Sequence, residues 1–136
     1  VWADYLKGIE ASDAYAAEVW NALQADPYYA GQTAYFVAHD HGRHADGVAD
    51  GFASHGDGCA GCRAVALLAL GPDFASHATL STGGEEIDLP VTVAALLGFP
   101  MPAAPGRVLV ELWDPARAPG RPAAPSILRP EQGATP

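Results

Sequence analysis

The sequence lacks a long hydrophobic run and has few basic residues. No stretch approaches the roughly 18 apolar residues that a membrane span needs, and no basic segment followed by an apolar one marks a signal peptide. Seven lysines and arginines stand against sixteen aspartates and glutamates, which gives a net charge of −9. A chain this acidic is poorly suited to grip nucleic acid or anionic lipid through its overall charge. We therefore expect neither partner, and no transmembrane segment in this chain.

Cysteine is also scarce, and the two that are present form a single Cys-x-x-Cys pair, Cys59 and Cys62. Haem attachment through such a pair needs a histidine directly after it, and the next residue is Arg63. With His55 nearby the pair could start a zinc site, although structural zinc usually has four protein ligands and the chain has no second pair. A local disulfide, or two reduced thiols that brace a loop, is the simpler interpretation.

The composition is nevertheless that of a folded domain. A chain of 136 residues with 49% hydrophobic content can build one core. Proline, alanine, glycine and arginine dominate residues 114–136, which predicts a disordered tail or an extended arm. The domain is therefore expected within residues 1–113. Because the sequence opens at Val1 instead of methionine, we expect that the natural protein begins earlier.

Two segments have the pattern of helices. Apolar residues recur at every fourth position from Ser12 to Ala25, with Ser12 as a candidate N-cap and Asp26-Pro27 as the end. A second, shorter helix is predicted from Asp88, as its N-cap, to Leu97, with Gly98 as a left-handed stop.

The remaining apolar segments fit strands. Residues 33–39 are rich in β-branched and aromatic side chains, and residues 107–113 fit a strand or a short helix. Residues 64–70, "AVALLAL", form a continuous apolar run, which suits a strand buried on both faces of a parallel sheet. Two or three such strands and two helices do not complete a parallel, helix-covered sheet of the usual five or six strands. The fold predicted from this shortage is the C-terminal portion of a larger α/β domain with a mostly parallel, helix-covered sheet.

Chemically active side chains gather where the first predicted strand ends, in "YFVAHDHGRH". Asp40 and His41 would point to opposite faces of a continuing strand, but Gly42 directly after them lets the backbone turn so that both could reach one ion. His55 lies in the long glycine-rich loop of residues 42–63, and loops of that length in compact domains are usually functional or disordered. A carboxylate with imidazoles suits an ion of the zinc or manganese class. Asp40, His41 and His55 are therefore the predicted metal ligands.

Four neighbouring side chains are candidates for supporting roles at this site. His39 would share a face with His41 only in a regular strand, which favours a packed or hydrogen-bonded position behind the ligands. His44 lies in the loop and could simply be solvated. Arg43 and Arg63 could hold an anionic substrate group by paired hydrogen bonds, although each is more commonly an ordinary salt-bridge partner.

Several motifs, taken in order, resemble the C-terminal half of the alkaline phosphatase superfamily, which includes phosphatases, phosphodiesterases, phosphomutases and sulfatases. The resemblance covers roughly Tyr5 to Trp113. It is carried by "FVAHDHGRH", "GFASHGDGCAGCR", "LLALGPDF" and "EIDLPVTVAALLGFPMP…GRVLVELW".

The resemblance implies a two-metal hydrolase of small phosphate or sulfate esters. Asp40 and His41 would bind one ion and His55 the other. The ions would be zinc, with manganese or calcium as alternatives, and two such ions about 3.5–4 Å apart activate the nucleophile and stabilise the leaving oxygen. Members of this kind are often exported, which suggests a periplasmic or extracellular location and would favour a disulfide between Cys59 and Cys62.

Other parts of the family's machinery have no counterpart in this chain. The Ser, Thr or modified-Cys nucleophile and the early ligands would lie upstream, and none can be assigned in residues 1–34, so the segment alone is expected to be inactive. Residue 39 is His where many relatives carry Ser or Thr. The only lysine is Lys7, whereas sulfatases commonly use a late lysine, which favours the phosphate branches.

The alternative function is a stand-alone acidic module that binds one metal through His55, Cys59 and Cys62 or scaffolds a partner. Such a module should fold by itself and should need its cysteines for metal uptake. The hydrolase prediction instead makes Asp40 and His41 essential for metal binding.

Overall fold

The structure, a computed structural model, describes residues 2–48, 51–80 and 83–116. In those residues two helices of ten or more residues are joined by a strand pair and short turns. The elements are α1 (Trp2–Ala25), β1 (Tyr35–Ala38), a 3₁₀ turn (Gly51–Ala53), α2 (Ala60–Arg63), β2 (Leu67–Leu70), α3 (Asp88–Leu97) and a second 3₁₀ turn (Val110–Leu112). Most of the predicted tail, residues 117–136, lies outside the described residues.

The two strands pair with each other in antiparallel orientation. Tyr35 lies opposite Leu70 and Ala38 opposite Leu67. Both strands fall inside the predicted segments 33–39 and 64–70, which confirms their positions. The expected burial of the second run on both faces is wrong, because Leu68 is 46% exposed. This pair forms the sheet of the described residues, so the mostly parallel sheet stays a prediction.

Helix α1 is longer than the sequence pattern indicated. It ends at Ala25 as predicted, but it begins at Trp2, ten residues before the expected N-cap. The Ser12 hydroxyl donates to the carbonyl of Gly8 at 2.9 Å within the helix, so Ser12 does not act as a cap. None of the residues of α1 is buried. Among the described residues, no helix combines the length and apolar character needed to cross a membrane.

The buried core lies between α3 and the segment that follows it. Trp113 stacks on Phe74 with ring centroids 5.6 Å apart, and both side chains are buried. A backbone bridge also joins these two residues, which shows that the 107–113 segment returns to the sheet side of the molecule. The predicted helix from Asp88 to Leu97 is confirmed, and Gly98 ends it with a left-handed φ of 78°.

Hydrogen bonds of two buried polar side chains also stabilise this core. The fully buried Thr92 donates its hydroxyl to the carbonyl of Asp88 at 2.8 Å and accepts from the backbone N–H of Leu109 at 3.0 Å. The carboxylate of Asp88 accepts from the backbone N–H groups of Glu85 at 2.9 Å and Arg107 at 2.8 Å. Asp88 was predicted to be the N-cap of α3. In the structure Ile87 is the N-cap and Asp88 is the first residue of the helix.

Candidate metal centre

The segment after β1 is tied to the glycine-rich loop by backbone hydrogen bonds. Gly42 donates to the carbonyl of Cys62 at 2.8 Å, Arg43 to that of Gly61 at 3.1 Å, and His44 to that of Ser54 at 3.0 Å. The loop therefore folds back against the end of the strand, as the metal-site prediction required.

Two glycines make this close approach possible. A Cβ on Gly42 would collide with the backbone carbonyls of Gly61 and Ala64, and a Cβ on Gly61 would collide with that of Arg43. Gly42 is not among the glycines with a left-handed φ. The position therefore needs glycine because two backbones meet there, and not because of a left-handed turn.

The predicted ligands Asp40, His41 and His55 lie next to one another; we call them the histidine site. Nε2 of His41 is 3.5 Å from Oδ2 of Asp40. The His41 ring stacks on the His55 ring with centroids 3.9 Å apart and planes inclined by 26°. All three residues are exposed, and the side chain of Asp40 is 86% exposed. Their ligand atoms are neighbours but do not converge on one point.

The ring of His41 has one hydrogen-bond contact, which indicates the nitrogen that can bind a ligand when the ring is neutral. Nδ1 lies 2.7 Å from the carbonyl oxygen of Gly42, and a carbonyl can only accept, so Nδ1 carries the proton. A neutral imidazole protonated at Nδ1 has its lone pair on Nε2, which is the nitrogen beside the Asp40 carboxylate. Histidines that bind metals usually have their second nitrogen donating in this way.

A second group of potential ligands converges beside the histidine site. His44, Asp57, Cys59 and Cys62 each offer one ligand atom, and these atoms all lie within 4.8 Å of one another. We call this set the cysteine cluster. The expectation that His44 is solvated is wrong, since its side chain is only 13% exposed. The pattern Asp-x-Cys-x-x-Cys could have drawn attention to Asp57, which the sequence analysis did not consider.

The cysteine cluster has perturbed acidities. Hydrogen bonds from the side chain and backbone of Cys59, with a further one from Cys62, lower the pKa of Asp57 to about 2. Burial, reinforced by the neighbouring Cys59 and Asp57 side chains, raises the pKa of the Cys62 thiol to about 11. Both cysteines are free thiols in the structure, as in the second of the two simpler interpretations, two reduced thiols in a loop.

Arg43 and Arg63, two of the candidate supporting residues, lie in different environments. Arg43 contacts the carboxylate of Asp46 at 2.9 Å, and its guanidinium lies over the rings of Trp2 and Tyr5 at 5.6 and 5.4 Å. Arg63 is exposed at the end of α2. Arg43 is thus engaged in an ordinary salt bridge and in cation–π contacts, the simpler of its two predicted roles.

His39 lines a different feature, a cleft of about 500 Å³ beside the sheet. Residues of β2, residues around Phe74 and Leu109, and the acidic residues Glu85, Glu86 and Glu111 line this cleft. Adjacent residues of an extended chain point to opposite sides, which is how His39 and Asp40 come to face different features.

Comparisons with known proteins found no match to a family model, to a curated protein or to a solved structure.

Proposed function

We propose that this chain supplies part of the metal centre of a two-metal-dependent hydrolase of phosphate or sulfate esters. Asp40, His41 and His55 are the metal ligands, and the nucleophile and the other ligands belong to residues outside this chain. The substrate is a small phosphate or sulfate ester. On this proposal the chain is an incomplete, catalytically inactive portion of the α/β domain of an alkaline phosphatase-like enzyme.

The observation that carries the proposal is the arrangement around His41. Nε2 of His41 and Oδ2 of Asp40 lie 3.5 Å apart. Two ligands that each lie about 2.0–2.1 Å from one tetrahedral zinc ion are about 3.3 Å apart, close to this separation. In the neutral tautomer with the proton on Nδ1, both atoms offer lone pairs that one cation can accept.

His55 fits a second ion. Its ring stacks on that of His41 with centroids 3.9 Å apart, so the two imidazoles can serve neighbouring ions. One oxygen donor and two nitrogen donors suit zinc or manganese. When bound, such ions polarise an ester oxygen and lower the pKa of coordinated water.

The residues of this chain have binding and orienting roles in that reaction. The carbonyl of Gly42 holds the His41 ring by accepting from Nδ1, which keeps Nε2 free for a ligand. The backbone N–H of His41 donates to Oδ1 of Asp40 at 2.9 Å, which orients the carboxylate. The exposure of the site leaves room for a substrate and for side chains from elsewhere.

Exposed apolar surface supports the view that further elements cover this chain. Helix α1 buries none of its residues, and it exposes Trp2, Ile9, Tyr15 and Val19. A 24-residue helix with this much uncovered apolar surface normally packs against a partner element.

The experiment isolates the natural polypeptide that contains this sequence and measures its mass and its hydrolysis of p-nitrophenyl phosphate, bis-p-nitrophenyl phosphate and p-nitrophenyl sulfate. Zinc, manganese and calcium are supplied in turn. We expect a polypeptide longer than 136 residues whose metal-dependent activity is lost in Asp40→Ala and kept in Asp13→Ala, a surface carboxylate of α1. A polypeptide of only this length, or one that hydrolyses none of the three esters, contradicts the proposal.

The alternative function, a stand-alone module built on His55, Cys59 and Cys62, has less support. The His55 ring lies against His41, whereas the two cysteines converge with His44 and Asp57.

A further inference from the structure

We propose that the cysteine cluster binds one zinc ion, which holds the turn of residues 54–62 against residues 42–44. This structural site is separate from the histidine site and does not depend on the hydrolase proposal. The ligands are the imidazole of His44, the carboxylate of Asp57 and the sulfurs of Cys59 and Cys62.

The four donors match zinc in kind and in spacing. Two sulfurs, one nitrogen and one oxygen form a mixed set that suits a borderline-soft ion. The donor atoms all lie within 4.8 Å of one another. Around tetrahedral zinc, with bonds of about 2.0–2.3 Å, the donors would be about 3.3–3.8 Å apart, so only a small contraction is needed.

His44 provides the second, independent observation. Both of its ring nitrogens are buried and neither makes a hydrogen bond. Nε2 lies 3.2 Å from Oδ2 of Asp57 but lacks the alignment of a hydrogen bond. Buried polar atoms are almost always satisfied, so this ring calls for a partner that the described residues do not supply. Two ligands of a common ion lie at about this separation, and each points at the ion instead of at the other.

The surrounding backbone already orients the donors. The N–H of Cys59 donates to Oδ1 of Asp57 at 3.0 Å, which leaves Oδ2 directed at His44. The N–H of Cys62 donates to the sulfur of Cys59 at 3.2 Å. Outer hydrogen bonds of this kind fix the orientation of metal ligands.

A disulfide is the competing state of the two cysteines. It would use both sulfurs and leave both His44 nitrogens without a partner, whereas zinc takes one ligand atom from each of the four side chains, including one nitrogen of His44. On zinc binding each thiol releases its proton to solvent as its zinc–sulfur bond forms, with no change of oxidation state. The same ion would secure the position of His55, because His44 is hydrogen-bonded to Ser54 directly before it.

The first test titrates the reduced protein with cobalt(II) and then displaces it with zinc. We expect a sulfur-to-cobalt charge-transfer band whose intensity corresponds to about one thiolate-bound cobalt per chain, and complete loss of the band on displacement by zinc. The band should vanish in Cys59→Ser/Cys62→Ser. In His44→Ala the affinity should fall at least about tenfold, because loss of even an outer-shell partner costs about 10–100-fold. The matched control, His77→Ala, should bind like wild type.

The band should also persist in Asp40→Ala/His41→Ala, because the cysteine cluster should bind cobalt without the histidine site. Loss of the band in that variant, or absence of the band in the wild-type protein, overturns the proposal. Unchanged cobalt affinity in His44→Ala or Asp57→Ala overturns the assigned ligand set.

A second measurement needs no variant and therefore does not depend on the folding of one. Alkylation of the reduced wild-type protein with iodoacetamide is followed by mass spectrometry with and without zinc. We expect zinc to slow the modification of both cysteines at least tenfold, and a chelator to restore the rate. Equal rates with and without zinc, or a Cys59–Cys62 disulfide that persists when zinc is present under reducing conditions, contradict the site.

Discussion

The imidazole rings of His41 and His55 stack with their centroids 3.9 Å apart, although fourteen positions separate the two residues in the chain. One residue follows the end of β1 and the other lies in the glycine-rich loop. Three backbone hydrogen bonds between residues 42–44 and residues 54–62 bring them together. The proposed metal centre therefore depends on how tightly these two segments approach each other.

Substitution of Gly42 by alanine should destabilise the protein and separate the two segments. The added Cβ would collide with the carbonyls of Gly61 and Ala64, both of them backbone atoms that cannot move aside as a side chain would. We expect a loss of about 1–3 kcal/mol in the free energy of unfolding, as for other overpacked sites. Urea denaturation followed by tryptophan fluorescence measures it, and an unchanged midpoint would show that the approach is looser than described.

The opposite outcome is expected when alanine replaces Gly8 in α1. No atom outside the helix lies within 4 Å of a Cβ at this position, and alanine is the better helix former. The free energy of unfolding should rise by about 0.5–1 kcal/mol. The same denaturation measurement serves, and Gly8→Ala is also the matched control for Gly42→Ala. A destabilised Gly8→Ala would mean that residue 8 is not inside a helix.

Thr92→Val should be costly although the two side chains have nearly the same shape. The substitution leaves the buried N–H of Leu109 without its acceptor, and an unsatisfied buried group costs about 1–3 kcal/mol. Thr33→Val is the matched control, because the Thr33 hydroxyl donates to the carbonyl of Tyr29 in an exposed place where water can replace it. Equal losses of unfolding free energy in the two variants would contradict the role of Thr92.

Asp88 should make the stability of the protein depend on acid pH. Hydrogen bonds from the backbone N–H groups of Arg107 and Glu85 lower the pKa of Asp88 in the folded state. A carboxyl whose pKa is lowered by folding stabilises the protein above its unfolded value of about 3.9, and this stabilisation is lost as the pH falls through the folded value. The free energy of unfolding should therefore decrease below about pH 4.

The Asp88→Asn variant tests that assignment. It should be less stable than wild type at pH 7 by about 1–3 kcal/mol, since the amide oxygen replaces a charged acceptor of two N–H groups. Its own loss of stability between pH 5 and pH 3 should be smaller than that of wild type. If the two proteins lose the same amount over this range, another group is responsible for the acid sensitivity.

Local patterns in the sequence predicted several elements correctly. The end of α1 at Ala25, helix α3 with Gly98 after it, and the positions of β1 and β2 follow from capping, turn and apolar patterns that act over a few residues. The start of α1 was missed because Ser12 has the pattern of an N-cap, although Trp2, Tyr5, Leu6 and Ile9 already recur at helical spacing before it. The burial of β2 was overestimated, because an apolar run does not reveal whether other elements cover it.

The candidate site was predictable only in part, for a similar reason. Adjacency along the chain made Asp40 and His41 candidates, and the loop length brought in His55. The convergence of His44 with Asp57 depends on hydrogen bonds between segments ten or more residues apart. No local pattern contains that information, and nearness along the chain associates the cysteines with His55 instead.

The most direct test of the proposed metal centre follows the histidine ring signals of the protein by NMR during a zinc titration. His41→Ala and His55→Ala variants assign the two signals. The account predicts that both signals respond to zinc and that Asp40→Ala weakens this response at least tenfold, while the His77 signal stays unchanged. Signals of His41 and His55 that do not move with zinc, or that move equally in Asp40→Ala, would contradict the assignment of these three residues as ligands.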